Sequence, residues 1–130
     1  MHYLSLGVAG LSPNEEDARR YQTGRHLSAF LLLLVAQQPD HGGSLIERLR
    51  GLNPPGWTVD TGRVYRLLRD LEKEGALRSS WRQTMAGQPV RVYEMTAGGR
   101  ARLAGDADEI RLRRDTLDGF LRLFERTGRN

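Results

Sequence analysis

The side chains with the clearest chemical use are Arg63, Arg66, Arg69 and Lys73, which recur at intervals of three or four residues. At about 100° per residue, that spacing gathers four cations into an arc of about 120° on one side of a helix. Arginine carries a planar, permanently charged donor fork that matches phosphate oxygens and the edge of guanine. Such a row suits recognition of a polyanion. It also suits a solvated helix whose acids, Asp70, Glu72 and Glu74, balance the cations. The rest of the chain has to decide between the two.

Other chemistries find little support. There is no nucleophile–base pair, no Gly-rich phosphate loop and no pair of carboxylates placed for acid–base work, so an enzyme is not expected. His2, His26 and His41 lie far apart without a carboxylate or cysteine at ligand spacing, so neither a metal nor a cofactor is expected. The 130 residues contain no cysteine, which fits a cytoplasmic chain. No apolar run is long enough to span a membrane, and the N-terminus lacks the pattern of a signal peptide. The net charge of +4 and isoelectric point near 10.1 are compatible with a nucleic-acid partner. Of the 20 basic residues only Lys73 is lysine, a bias that phosphate recognition and a G+C-rich genome explain equally well.

The cation row sits on a helix bounded by Asp60, an N-cap, and Gly75, a left-handed C-cap. Val64, Leu67, Leu68 and Leu71 form its buried stripe, about 100° wide, with Tyr65 on the boundary. Upstream, Leu27 to Gln38 reads as a buried helix ended by Pro39, and Asp40 to Gly43 as a turn. A second helix starts at Ser44, with Leu45, Ile46 and Leu49 inward and Glu47, Arg48 and Arg50 outward. Gly51 to Trp57 forms a rigid loop around Pro54 and Pro55, and Thr58-Val59 is a candidate short β-bridge. Ser12-Pro13-Asn14-Glu15 has the form of a capping box before a short helix. Downstream of Gly75 the period changes to two: Leu77, Ser79 and Trp81 alternate with arginine and serine. Gln83 to Pro89 forms a tip, and Val90 to Met95 alternates again. Trp81 is expected to pack inward, and Thr96 caps a last helix.

Three helices followed by a hairpin make a winged helix-turn-helix, mainly α within the α+β class, with a two-stranded wing and a long C-terminal helix. In that architecture the third helix enters the DNA major groove and the hairpin touches backbone or minor groove. Over residues 24–103 the sequence resembles the PadR family of bacterial transcriptional regulators. The resemblance rests on Asp40-His41-Gly42, on Gly62-Arg63-Val64-Tyr65 with Leu68, Leu71, Glu72 and Gly75, and on Trp81, Gly87, Arg91, Tyr93, Met95-Thr96 and Gly99. It implies a homodimeric, nucleoid-associated repressor on double-stranded DNA, with small hydrophobic effectors in some members. By position it implies a DNA-binding set of Thr61, Gly62, Arg63, Tyr65, Arg66, Arg69, Gly87, Gln88 and Arg91. Thr61 and Arg63 would face bases, Tyr65 would hydrogen-bond a phosphate, and Gly87 to Arg91 would form the wing contact. The chain departs from the pattern at Gly43, where an aromatic is usual, and at Gln88 and Val90, where basic residues are usual. A weaker wing contribution is therefore expected. The alternative is a winged-helix module that binds protein and not DNA.

Leu103, Ala107, Ile110, Arg114, Leu117, Leu121 and Phe124 follow a 4-3-4-3-4-3 spacing, the pattern of a helix–helix seam, and are the expected dimer interface. Phe30, Phe120 and Phe124 are candidates to line an apolar effector cavity between protomers, or simply to fill that interface. The expected organisation is an extension with a short helix over 1–24, a winged-helix domain over 25–96 and a dimerisation helix over 97–130.

Overall fold

The computed structural model describes residues 26–52 and 58–128. The expectations for 1–24 and for Pro54, Pro55 and Trp57 lie outside the described residues. The element order is α1 (26–37), β1 (Asp40–His41), α2 (Gly42–Leu52), α3 (Thr61–Lys73), β2 (Leu77–Gln83), β3 (Pro89–Met95) and α4 (Ala97–Arg126).

The core is built where the apolar stripes of α1, α2 and α3 meet the inner side of the hairpin. Leu27, Leu31, Leu32 and Val35 of α1 close on Leu45 and Leu49 of α2, on Val64, Leu68 and Leu71 of α3, and on Leu77, Tyr93 and Met95 of the strands. Asp60 caps α3 by accepting a hydrogen bond from the Arg63 backbone N–H at 3.1 Å. At its far end Gly75 takes φ +85°. The Ala76 N–H then reaches Leu71 O at 2.9 Å and the Gly75 N–H reaches Glu72 O at 3.0 Å. That pair of bonds is a Schellman end, which needs the left-handed residue that glycine supplies.

Three local expectations are corrected. Asp40 and His41 are not a free turn: they form β1, antiparallel to β3 with Asp40 opposite Tyr93 and His41 opposite Val92. The sheet therefore has three strands in the order β1-β3-β2, and α2 begins at Gly42, earlier than Ser44. The short bridge expected at Thr58-Val59 is absent from those residues, which lead irregularly into α3. Arg48 does not point away from the protein. It donates to Leu34 O at 2.8 Å and to Asp40 Oδ2 at 3.1 Å, tying α2 to the end of α1 and to β1. Asp40 also accepts from Ser44 Oγ at 2.5 Å and from the His41 N–H at 2.8 Å. Burial pushes the Asp40 carboxyl up, but these donors and the nearby His41 outweigh it and hold the group below its ordinary value.

The start of α4 is fastened to the junction of α3 and β2. Thr96 Oγ1 accepts from the Gly99 N–H at 2.9 Å and donates towards Gly75 O and Ala76 O at 2.5 and 3.0 Å. Arg102 adds an ion pair to Glu74. Gly99 lies so close to the chain that a Cβ there would stand 2.1 Å from Ala76 O. Beyond Ile110 the helix leaves the domain: Leu112, Leu117, Phe120, Leu121, Leu123 and Phe124 are all exposed. No helix among the described residues is long and apolar enough to cross a membrane.

Candidate nucleic-acid interface

Burying Val64, Leu68 and Leu71 turns the opposite side of α3 to solvent, and Thr61, Gly62, Arg63, Tyr65, Arg66 and Arg69 are all exposed there. Arg66 reaches back along the helix, with Nη1 3.4 Å from where a Cβ of Gly62 would stand. Tyr65 is 42% exposed, and its ring rests on the first residue of α2. A Cβ on Gly42 would meet Tyr65 Cε1 at 2.4 Å, and one on Gly43 would lie 4.0 Å from the hydroxyl. The missing side chains at 42 and 43 thus make room for the phenol at the N-terminus of α2, whose first turn carries no acid. That is an arrangement compatible with an anion.

In the wing, Gly87 takes φ +93° and its N–H closes the turn onto Thr84 O at 3.0 Å. Thr84 Oγ1 donates to Gln88 O at 2.7 Å and Gln83 Nε2 donates to Gly87 O at 2.8 Å. Gly87 therefore shapes the tip, and the backbone carbonyl of Gln88 is used within it. Met85 stands fully exposed at the tip. Arg91 is directly opposite Trp81 in the ladder, with its guanidinium carbon 5.3 Å from the centre of the indole. Trp81 is 64% exposed, so the expectation of inward packing is corrected. The strand face that carries Leu77 into the core runs past the core's edge before it reaches residue 81.

The helix and the wing meet at Tyr93. Burial pushes its phenol up from the usual value, with Glu72 of α3 acting in the same direction and Arg91 and Arg69 against it. Glu72 in turn accepts from Ser79 Oγ at 2.8 and 3.0 Å. Arg69 and Arg91, 22 positions apart in sequence, thus both act electrostatically on one buried tyrosine. The sequence reading missed Trp81 as the partner of Arg91. The signal was present: folding the hairpin about Ala86 pairs the two positions.

The expected interface residues of α4 divide. Leu103 packs against the protein's own core. Leu103, Ala107 and Ile110 line a groove of about 470 Å³ together with Ala29, Phe30 and Leu33 of α1. Arg114 is exposed and pairs with Asp115 at 3.3 Å, while Leu117, Leu121 and Phe124 stand clear of the domain. Of the effector candidates, Phe30 lines the groove and Phe120 and Phe124 do not. Among the described residues no three or more histidines and carboxylates gather as a metal site.

No curated protein matches the sequence. Among solved structures, a conserved protein of unknown function described as a potential transcriptional factor shares 30% identity and a TM-score of 0.72, with 82% of this chain and 94% of that one covered. A PadR-like transcriptional regulator from Bacillus cereus shares 20% identity at a TM-score of 0.68, covering 77% and 95%. A PadR family regulator from Eggerthella lenta shares 24% at 0.66, covering 81% and 86%; at these lower identities the likeness is one of fold. The profile of the transcriptional regulator PadR-like family matches residues 31–105, more than half of the chain. With that match on a winged helix, the chain belongs to the PadR-like family and is a DNA-binding transcription regulator, not an enzyme.

Proposed function

We propose that the protein is a homodimeric repressor that sets α3 in the major groove of its operator and lays the wing on the flanking backbone. The observation that supports this reading is the exposed row of Arg63, Arg66 and Arg69 along α3, together with the exposed Arg91 on β3. Thr61 and Arg63, at the helix start, read base edges, and Tyr65, braced on Gly42, bonds a phosphate. Gly62, Arg66, Arg69, Gly87 and Gln88 complete the contact surface. The unit that reads DNA is 25–96, and 97–130 is the dimerisation unit.

Dimerisation follows from two faces that the lone chain leaves uncovered. One is the α1–α4 groove, apolar over nearly its whole lining. The other is the distal part of α4, where Leu117, Leu121 and Phe124 project on one side and Leu112 and Leu123 about 140° round from them. A single helix laid alongside covers only one side. A groove with two walls covers both, so the distal α4 of each copy sits in the groove of the other. Phe120 and Phe124 of one copy then approach Phe30 of the other, and a flat hydrophobic effector would act by competing for that space.

The test is binding to a genomic fragment selected by the purified protein, as a function of salt. Parent affinity should fall steeply with salt. Arg63→Ala should cost about 1–3 kcal/mol and relax specificity at one base pair. Tyr65→Phe should weaken all sequences by a smaller, equal amount. If both variants bind as tightly as the parent, this docking is wrong. A parent that selects no DNA and ignores salt would leave a protein-binding module as the reading.

A further inference from the structure

The wing tip is poor in cations: from Thr84 to Arg91 only Arg91 is charged. An exposed arginine on a hairpin would ordinarily sample many rotamers, and fixing it on a phosphate would cost entropy. Here its guanidinium carbon already stands 5.3 Å above the Trp81 ring, across the strand pair that places both on one face. Tyr93, two residues along the same face, is buried. The indole contributes little to the core, being 64% exposed. A large aromatic in that position has another use. The indole face restricts where the guanidinium can go without consuming its donors, so its N–H groups remain available.

We propose that Trp81 is a positioning residue for DNA binding, holding Arg91 in a pre-ordered pose so that the wing offers one fixed cation to a backbone phosphate. This rests on the DNA-binding reading above and adds to it the part played by a side chain outside the contact set. Recognition by Arg91 is sequence-blind, because a phosphate carries no base information.

The experiment measures binding of Trp81→Ala, Trp81→Phe, Arg91→Ala and the Trp81→Ala/Arg91→Ala double variant to a mixed-sequence DNA duplex across a salt series, with thermal unfolding followed alongside. Trp81→Ala should weaken binding about two- to five-fold at every salt concentration. The slope with salt should not change, since the cation is still present. Arg91→Ala should lower that slope by about one. In the Arg91→Ala background, Trp81→Ala should add nothing. Trp81→Phe, which keeps a ring face, should recover most of the loss. Trp81→Ala binding that equals the parent would overturn the proposal, as would a loss of the same size in the Arg91→Ala background. A loss that tracks a drop in unfolding temperature would assign Trp81 to stability and also overturn it. If the parent itself shows no salt-dependent binding while Arg63→Ala changes nothing, the DNA reading fails, and this proposal fails with it.

Discussion

Gly99→Ala probes the joint between the DNA-reading part and the long helix most directly. The added Cβ would meet Ala76 O at 2.1 Å, Ala76 C at 3.0 Å and Met95 Cε at 3.3 Å. The methionine end can swing aside, but the carbonyl belongs to backbone held between Thr96 and the end of α3. Relieving the contact takes a shift of about 1 Å, the scale of change that core overpacking resists at about 1–3 kcal/mol. The same shift stretches the Thr96 N–H bond to Ala76 O, now 3.2 Å, past useful range, a loss of about 1 kcal/mol. Replacing a helical glycine returns at most about 1 kcal/mol. The net is a destabilisation of about 1–3 kcal/mol, or about 4–12 °C in unfolding temperature at about 4 °C per kcal/mol for a chain of this size. Gly105→Ala is the matched control: nothing lies within 4 Å of its added Cβ, so the intrinsic gain of up to about 1 kcal/mol should appear undiminished. Thermal unfolding by circular dichroism decides the matter. A Gly99→Ala protein that melts no lower than Gly105→Ala would refute the close-approach argument.

Gly42→Ala should push the Tyr65 ring from its seat, since the new Cβ would stand 2.4 Å from Cε1. Binding to all DNA sequences should weaken about as much as in Tyr65→Phe, with little change in unfolding temperature. Because the folded-state value of Asp40 is depressed, its contribution is present above the ordinary carboxylate value and is lost as pH falls through the lowered one. Asp40→Asn should therefore cost about 1–2 kcal/mol at neutral pH and converge on the parent once the pH has fallen below the lowered Asp40 value, as followed by denaturant unfolding across pH. Leu117→Glu with Leu121→Glu should turn a sedimenting dimer into a monomer with an intact winged helix, because a buried unpaired carboxylate is strongly disfavoured at such an interface. A doubly substituted protein that still sediments as a dimer would place the contact elsewhere.

The elements read most clearly from sequence were those whose signal is local. The boundaries of α3 follow from Asp60 and Gly75, and its buried stripe from the spacing of Val64, Leu68 and Leu71. The α4 cap at Thr96 is equally explicit. What escaped was decided by partners far away in the chain. Two residues of β1 have no period of their own, and only their pairing with Val92 and Tyr93 makes them a strand. Arg48 has the composition of a solvent residue, yet it finds the carbonyl of Leu34, 14 positions earlier. Trp81 alternates correctly with the core-facing residues, and alternation cannot say where the core stops. The exposed face of α3 was legible as a row of cations, whereas the seat that Gly42 makes for Tyr65 depends on a backbone approach that no pattern encodes.

The fastening of α4 at Thr96, Gly99 and Arg102 gives the long helix a defined angular phase as well as a direction. With its base keyed to the end of α3, every side chain further along points at an azimuth fixed relative to the DNA-reading face. One inserted residue between Arg102 and Ile110 would turn the outer half by about 100°, while seven would restore the azimuth to within about 20° and move the tip outward by about 10 Å. In the proposed dimer the helix thus acts as a keyed shaft: sequence length within α4 sets both the twist between two operator half-sites and their separation. Those two quantities change together and cannot be adjusted independently by any insertion. Divergence among related chains in the length of this segment would accordingly be confined to steps close to whole turns, however freely the exposed side chains along it vary.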